Sequence, residues 1–303
     1  MSTPARHVYL VDGSGYIFRA YHALPALNRQ RDGMPTGAVL GYSNMLAKLL
    51  QDTNADHLAV VFDRGKSSFR HQLYDRYKAH RPEPPSDLVP QFRLIRQATA
   101  AFNVCAIELE GYEADDLIAT YARQAAAEGA TVTIVSSDKD LMQLVGNGIS
   151  MLDPIKQRPI GEKEVREKFG VGPDKVADVQ ALCGDSIDNV PGVPGIGAKT
   201  AAELVNAYGD VENLLAHAAE IKQPKRREAL INFAEQVRIA KQLVLLKDDV
   251  PLPVPLTDLA VKPLSREKLF PFLRELEFKK LLDRIEARLS AGEDSARSPR
   301  LNL

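Results

Sequence analysis

Thr131-Val-Thr-Ile-Val-Ser-Ser-Asp-Lys-Asp140 reads as a buried strand that runs through two serines into a pair of carboxylates. The same form recurs along the chain. His7-Val-Tyr-Leu-Val11 ends at Asp12-Gly13, and Leu58-Ala-Val-Val-Phe62 ends at Asp63. Val104 to Leu109 is followed shortly by Glu113, Asp115 and Asp116, and Ile149 to Leu152 ends at Asp153-Pro154. Helical patterns separate these runs, over Gly37 to Leu50, Leu88 to Phe102 and Asp115 to Glu128. Strands alternating with helices predict an α/β fold with a mostly parallel central sheet flanked by helices. Ligands of such sheets bind beyond the carboxyl ends of the strands, and here successive strands bring acids to that edge.

Each acid has a structural explanation when taken alone. Asp12 suits a turn before Gly13, Glu113, Asp115 and Asp116 suit a helix N-terminus, and Asp138 suits a cap. None of these explains why they share one edge. Asp12, Asp63, Glu113, Asp115, Asp116, Asp138, Asp140, Asp185 and Asp188 would repel one another strongly without cations. A bound divalent metal resolves this, and an all-oxygen donor set favours Mg²⁺ or Mn²⁺ over zinc.

The bulk composition excludes several classes. The 303 residues are 45% hydrophobic and 26% charged, as in a soluble globular protein. No apolar run approaches the roughly 18 residues that span a bilayer. Met1 to His7 lacks a signal-peptide core, and Cys105 and Cys183 lack metal-ligand spacing, so a cytoplasmic protein is expected. Net charge is −1, but the average hides segregation. Arg64, Lys66, Arg70, Arg76, Lys78 and Arg81 face the single acid Asp75 within one stretch. Tyr74 and Tyr77 interleave with these bases at roughly helical spacing before Pro82-Glu-Pro-Pro85 stops the helix. Such a segment can neutralise phosphates and stack on bases, and it reads as a basic cover over about 64–91.

A second informative stretch is Leu182-Cys-Gly-Asp-Ser-Ile-Asp-Asn-Val-Pro-Gly-Val-Pro-Gly-Ile-Gly-Ala-Lys-Thr-Ala201. Its acids Asp185 and Asp188 lead into a Gly/Pro hairpin and then a helix. It is not a phosphate loop of the Gly-Lys-Ser/Thr type, because Ala198 separates Gly197 from Lys199. It fits a helix-hairpin-helix, with the Gly192, Gly195 and Gly197 backbone, Lys199 and Thr200 facing duplex phosphates. Helices are also expected over Gly161 to Phe169, Pro173 to Leu182 and from Lys199 to Tyr208. Ser265 to Leu289 reads as helix interrupted at Pro271, and Ser290 to Leu303 as a disordered tail. The predicted domains are 1–172, 173–289 with the hairpin motif at about 182–208, and the tail at 290–303.

Taken in order, these blocks resemble the 5′ nuclease, or flap endonuclease, family, whose sheet is PIN-like. Within it they are most similar to the N-terminal 5′→3′ exonuclease domain of bacterial DNA polymerase I. The blocks are Val11 to Ala23, Val61-Phe-Asp63, Tyr77-Lys-Ala-His-Arg81, Gly111-Tyr-Glu-Ala-Asp-Asp116, Ser136 to Asp140 and Gly184 to Gly192 with its hairpin. The resemblance implies Asp12, Asp63, Glu113 and Asp115 around one Mg²⁺. It implies Asp138, Asp140, Asp185 and Asp188 around a second, with Asp116 close to both and Mn²⁺ able to substitute. Lys78 and Arg81 would stand on an arch helix beside the scissile phosphate, and Tyr77 would stack on the substrate. Arg70, Arg19 and Tyr21 would contact the DNA.

The function implied is two-metal hydrolysis of phosphodiesters at 5′ flaps, nicks and 5′ ends of DNA and at RNA primers, in replication and repair. The expected protein is a bacterial, nucleoid-associated monomer without a membrane partner. Its polymerase partner could act in cis or in trans, since a free-standing nuclease and the nuclease part of a longer protein share this sequence. Two rival readings are a non-catalytic structure-specific DNA-binding protein and a toxin-type endoribonuclease.

Overall fold

The computed structural model describes residues 6–65 and 67–297, with backbone alone over 292–297. Lys66 of the basic stretch and positions 298–303 of the expected tail lie outside the described residues. All five predicted strands form: β1 (His7–Asp12), β2 (His57–Val61), β3 (Cys105–Ile107), β4 (Thr131–Val135) and β5 (Ile149–Asp153). A sixth, β6 (Arg158–Ile160), pairs antiparallel with β5. Its three residues with a central proline carry no periodic signal, and proline is tolerated there because the strand lies at the sheet edge.

The sheet order is β3-β2-β1-β4-β5-β6, with β1–β2, β1–β4 and β4–β5 parallel. The chain therefore builds outward from β1 in one direction, then returns to its other side for β4. The strand order reverses between β1 and β4, and a crevice opens at their carboxyl ends. Asp12 and the Ser136–Asp140 segment stand at the two lips of that crevice.

The helices in chain order are α1 (Gly13–Ala23), α2 (Gly37–Asp52), α3 (Phe69–Leu73), α4 (Gln91–Ala101) and α5 (Ala114–Ala127). After the sheet come α6 (Glu162–Phe169), α7 (Val176–Cys183), α8 (Ala198–Tyr208), α9 (Val211–Ala216), α10 (Pro224–Asn232) and α11 (Ala234–Val244). The last two are α12 (Arg266–Glu275) and α13 (Lys279–Arg297). These elements fall into two compact units that interleave along the chain.

The first unit holds the chain up to Gly15 with Asn54–Glu83 and Ile107–Ala260. Its α5 lies against β1, β2 and β4 through an alanine-rich face. A separate helical core gathers Val179, Leu182, Ile196, Leu204, Val205, Leu214 and Leu243 from α7 through α11. Asp178 fixes this packing: its carboxylate accepts the Val211 N–H at 3.0 Å and pairs with Lys241 at 2.7 Å. Asp210 caps α9 by accepting the Asn213 N–H at 2.8 Å, as its position before the helix predicts.

The second unit holds Tyr16–Thr53, Pro84–Ala106 and the chain from Val261. Here α2 packs on α4, and α12 on α4 and α13. Buried polar groups set the register. The Tyr42 and Thr99 hydroxyls lie 2.6 Å apart, and Gln91 Oε1 accepts the Val39 N–H at 3.1 Å. At Gly41 an added Cβ would come within 3.0 Å of Ala20, so the small residue permits that close approach.

Three expectations are corrected. The basic stretch is not one helix: α3 has five residues, Tyr74 is extended, and turns run from Asp75 to His80. A single surface helix would leave its bases and tyrosines largely to solvent. Arg70 and Tyr77 instead turn into the protein, and Lys78 adopts a left-handed conformation with φ +56°. Pro271 sits inside α12, and the interruption falls at Glu277, where φ is +62°. Finally, α13 continues past Ser290 to Arg297, so the start of the expected tail is helical.

Candidate active site

The site in the first unit grows from the ends of β1, β2 and β4 and the N-terminus of α5. Asp12 ends β1 with 6% of its surface exposed. Its Oδ1 accepts the Gly15 N–H at 2.9 Å and its Oδ2 accepts the Ser136 hydroxyl at 2.8 Å. A Cβ at Gly15 would stand 2.6 Å from Asp12 Oδ2, which explains the glycine. Ser136 also accepts the Asp138 N–H at 2.9 Å, so one hydroxyl joins the two lips of the crevice. Asp63, after β2, accepts the Ser14 hydroxyl at 2.6 Å and the Ala114 N–H at 2.9 Å. That second bond seats Asp63 at the first turn of α5, beside Asp115. Among the described residues no donor reaches the Asp115 carboxylate.

These four acids act on one another. Burial, with smaller contributions from Asp138 and Asp63, raises the Asp12 carboxyl to about 6 against the pull of the Gly15 and Ser136 donors. Asp115 is raised well above the carboxylate range, first by burial and then by Asp138, Asp12 and Asp63. Asp140 rises to about 7 through burial and Asp138, although Gln180 Nε2 donates to it at 2.5 Å.

The remaining acids are neutralised by bases. Glu113 takes the Lys78 ammonium at 2.8 Å, the Ser68 hydroxyl at 3.0 Å and the Tyr77 hydroxyl at 3.2 Å. Burial would raise its pKa, but Lys78 and Arg70 outweigh burial and hold it below the usual range. Asp188 takes Arg81 at 2.5 Å and Tyr77 at 3.2 Å, and its carbonyl accepts the Lys78 N–H at 2.9 Å. Asp185 pairs with Lys139 at 2.5 Å. Glu113, Asp115, Asp140, Asp185 and Asp188 line one open cleft of about 300 Å³.

Several predicted roles change. Asp116 is fully buried and paired bidentately with Arg70, both contacts at 2.7 Å, so neither is available for metal or DNA. Tyr77 is 4% exposed and packs in the helical core, edge-on to His71, which leaves no face for a substrate base. Gly192 faces protein: a Cβ there would lie 2.4 Å from the Cys183 carbonyl group, so it is glycine to let the hairpin close. Gly195 (φ +80°) and Gly197 open onto free space, Lys199 is exposed and Thr200 half-buried, as a phosphate-facing turn requires. Arg19 and Tyr21 lie in the second unit on α1, where the Tyr21 hydroxyl donates to Asp87 at 2.9 Å and Arg19 Nη1 is buried without a partner.

The sequence reading missed the groups that orient the acids. Ser68 and Gln180 carried no signal, whereas Ser14 stands inside the Val11–Ala23 block and Ser136 and Lys139 inside the Ser136–Asp140 block, and these were legible as part of them.

A divalent cation fits part of this set. Asp12, Asp63, Asp115 and Asp138 supply hard oxygen donors, and among the described residues no lysine or arginine meets Asp12, Asp115 or Asp138 at ion-pair distance. Among the described residues no three acidic, histidine or cysteine side chains already form a group that could hold a metal ion.

Comparison with known proteins gives the family. The model of the 5′-3′ exonuclease N-terminal resolvase-like domain matches residues 7–170, and that of the 5′-3′ exonuclease C-terminal SAM fold matches 171–267. DNA polymerase I of Rhizobium leguminosarum is 56% identical over 286 residues, 92% of this chain and 28% of that protein. A 5′-3′ exonuclease of Aquifex aeolicus is 36% identical over 281 residues, 92% of this chain and 95% of that protein. The chain thus spans about a third or less of the polymerase relatives it matches and nearly all of the exonuclease. A bacteriophage T5 flap endonuclease, solved in a complex with DNA and metal ions, shares the fold. Its TM-score is 0.68 at 22% identity, covering 92% of this chain and 100% of that one. With both family domains matched in order, the chain belongs to the 5′-3′ exonuclease family.

Proposed function

We propose that the chain hydrolyses phosphodiesters at 5′ flaps, nicks and 5′ ends of DNA, and at RNA primers, as a structure-specific nuclease dependent on Mg²⁺. The observation that carries this is the set of neighbouring acids Asp12, Asp63, Asp115 and Asp138, which with burial raises the Asp12 and Asp115 carboxyls, at the point where strand order reverses, in a chain of this family. Those four residues would hold one cation. Asp140, Asp185, Asp188 and Glu113 would help hold a second once Lys139, Arg81 and Lys78 turn from them toward phosphate. When bound, the cations would supply Lewis acidity that makes water nucleophilic at neutral pH and offsets charge on the phosphate oxygens.

The chain's own residues do the rest. Lys78 and Arg81 stand beside the acids and can neutralise charge that develops on the phosphate. Ser14 and Ser136 fix the orientation of Asp63 and Asp12, so these acids need no reorganisation. The turn at Gly195–Gly197 with Lys199 would grip duplex backbone without reading sequence, so recognition would follow structure and a 5′ end.

We further place the activity in a monomer in the cytoplasm, at the nucleoid, with a polymerase in cis or in trans. The polymerase relatives support that link. For the chain itself, we read residues 1–172 as the nuclease domain and 173–289 as the DNA-gripping one. Neither the purely DNA-binding reading nor the toxin-type endoribonuclease accounts for this cluster of neighbouring acids together with a hairpin motif. The test is a 5′-flap duplex incubated with and without Mg²⁺. Cleavage near the junction with Mg²⁺ alone is expected, and binding without metal-dependent cleavage would leave a DNA-binding protein.

A further inference from the structure

Asp116 is unlike every other acid of the site because its bonding capacity is full. Oδ2 accepts Arg70 Nη1 at 2.7 Å and the Glu113 N–H at 3.1 Å. Oδ1 accepts Arg70 Nη2 at 2.7 Å and the Lys247 N–H at 3.0 Å. Each oxygen has two acceptor directions, and all four are taken. The guanidinium is equally committed. Arg70 Nε donates to the Leu243 carbonyl at 2.7 Å, Nη2 to the Leu245 carbonyl at 3.2 Å, and Nη1 lies 3.6 Å from Glu113 Oε2. Arg70 is 1% exposed and Asp116 0%, so water cannot replace either partner. A cation could reach Asp116 only by expelling a buried guanidinium and leaving two backbone carbonyls without a donor, which is strongly unfavourable.

The position of this pair gives it a role. It ties α3, the N-terminus of α5 and the end of α11 to one point, and two of its contacts land on Glu113, directly before α5. Asp115 follows two residues later and, among the described residues, receives no donor, so its carboxylate depends on the backbone that carries it. We infer that Arg70 and Asp116 are a positioning pair for the active site: a buried clamp that fixes the first turn of α5, and thereby aims Glu113 and Asp115 at the cation, while Asp116 itself is not a ligand. The role rests on the proposed metal-dependent hydrolysis.

Mn²⁺ binding followed by electron paramagnetic resonance, with kcat and KM on a 5′-flap duplex and a melting control, separates the possibilities. Arg70→Lys and Asp116→Asn should each weaken Mn²⁺ binding about tenfold or more, as removal of an outer-shell partner does, with stoichiometry unchanged. Both should lower kcat more than they raise KM, and the double variant should be no worse than the poorer single one, because both remove the same clamp. Loss of one Mn²⁺ in Asp116→Asn, with Arg70→Lys binding as wild type, would make Asp116 a ligand and overturn the inference. Wild-type Mn²⁺ affinity and kcat in both variants would overturn it equally, leaving the pair a purely structural one. Should Asp116→Asn fail to fold, Asp116→Glu decides: a ligand keeps near-native affinity, whereas a displaced clamp matches Arg70→Lys. A wild-type protein that neither binds Mn²⁺ nor cleaves would fail before any substitution, and that failure belongs to the proposed function.

Discussion

Stripping divalent cations from the protein and changing the pH should expose how much the acid cluster costs. The Asp12 carboxyl is raised from 3.8 to about 6 and Asp140 from 3.8 to about 7, both chiefly by burial, with Asp115 raised as well. At ~1.4 kcal/mol per pKa unit, Asp12 alone corresponds to about 3 kcal/mol. Asp140 is of similar size, but Asp138 contributes to both, so the two do not add and about 3 kcal/mol serves for the set. The sign follows from proton counts. From roughly pH 4 to pH 7 the native carboxyls hold protons that the unfolded chain has released, so stability falls as pH rises through this window. Glu113, with its lowered pKa, loses its contribution only as pH falls below the ordinary glutamate value and does not interfere.

His7 and His57 are lowered, mainly by burial, and act in the opposite sense by gaining stability as pH rises through 6.5. They are the same with and without metal, so the diagnostic quantity is the rise in Tm on adding saturating Mg²⁺. With Asp12 near 6 and Asp140 near 7, about 1–2 kcal/mol of the effect falls between pH 5.5 and pH 8, so the rise should be larger at about pH 8 than at about pH 5.5 by roughly 2–8 °C, taking ~2–4 °C per kcal/mol. Differential scanning calorimetry in Mg²⁺ and in chelator at the two pH values measures it. An equal rise at both, or a larger one in acid, would refute the claim that burial and the neighbouring acids hold these carboxyls protonated below neutral pH.

Four further outcomes are expected. Asp63→Ala and Asp138→Ala should each lower flap cleavage by roughly 100-fold or more, on the scale of losing a preorganised electrostatic group, with binding of the flap duplex retained in a gel-shift assay. Lys199→Ala should weaken duplex binding and reduce the slope of log affinity against log salt by about 1, and an unchanged slope would remove Lys199 from the phosphate contacts. Gly192→Ala, whose Cβ would meet the Cys183 carbonyl at 2.4 Å, should lower stability by about 1–3 kcal/mol in urea unfolding. Tyr77→Phe keeps the buried ring but removes the hydroxyl shared by Glu113 and Asp188. A loss of about 1 kcal/mol is expected, and no change in melting would count against those bonds.

The path from residues to family was short because its signals are local. Apolar runs ending in aspartate at 12, 63 and 138 imply strands with acids at their carboxyl ends, and the parallel sheet then gathers them at one edge whatever the loops do. The Gly/Pro hairpin before α8 was equally legible, since positive φ at Gly195 and a helix start at Ala198 are properties of a few adjacent residues. Where the reading failed, the deciding contacts were distant in sequence. Helical spacing from Arg70 to Arg81 suggested an exposed basic helix, yet Arg70 answers to Asp116 and Tyr77 to Asp188, far along the chain.

The sequence by itself therefore determined which residues are acidic, which strands carry them and which edge they reach, because the side-chain period and strand polarity depend on neighbours alone. Only the tertiary structure decided how those acids divide. Asp12, Asp115 and Asp138 lie close to one another, and among the described residues none of the three pairs with a base, while Glu113, Asp185, Asp188 and Asp116 each meet one. That partition follows from burial and from which cation lies within a few ångströms. Both are set by packing between segments the sequence holds far apart.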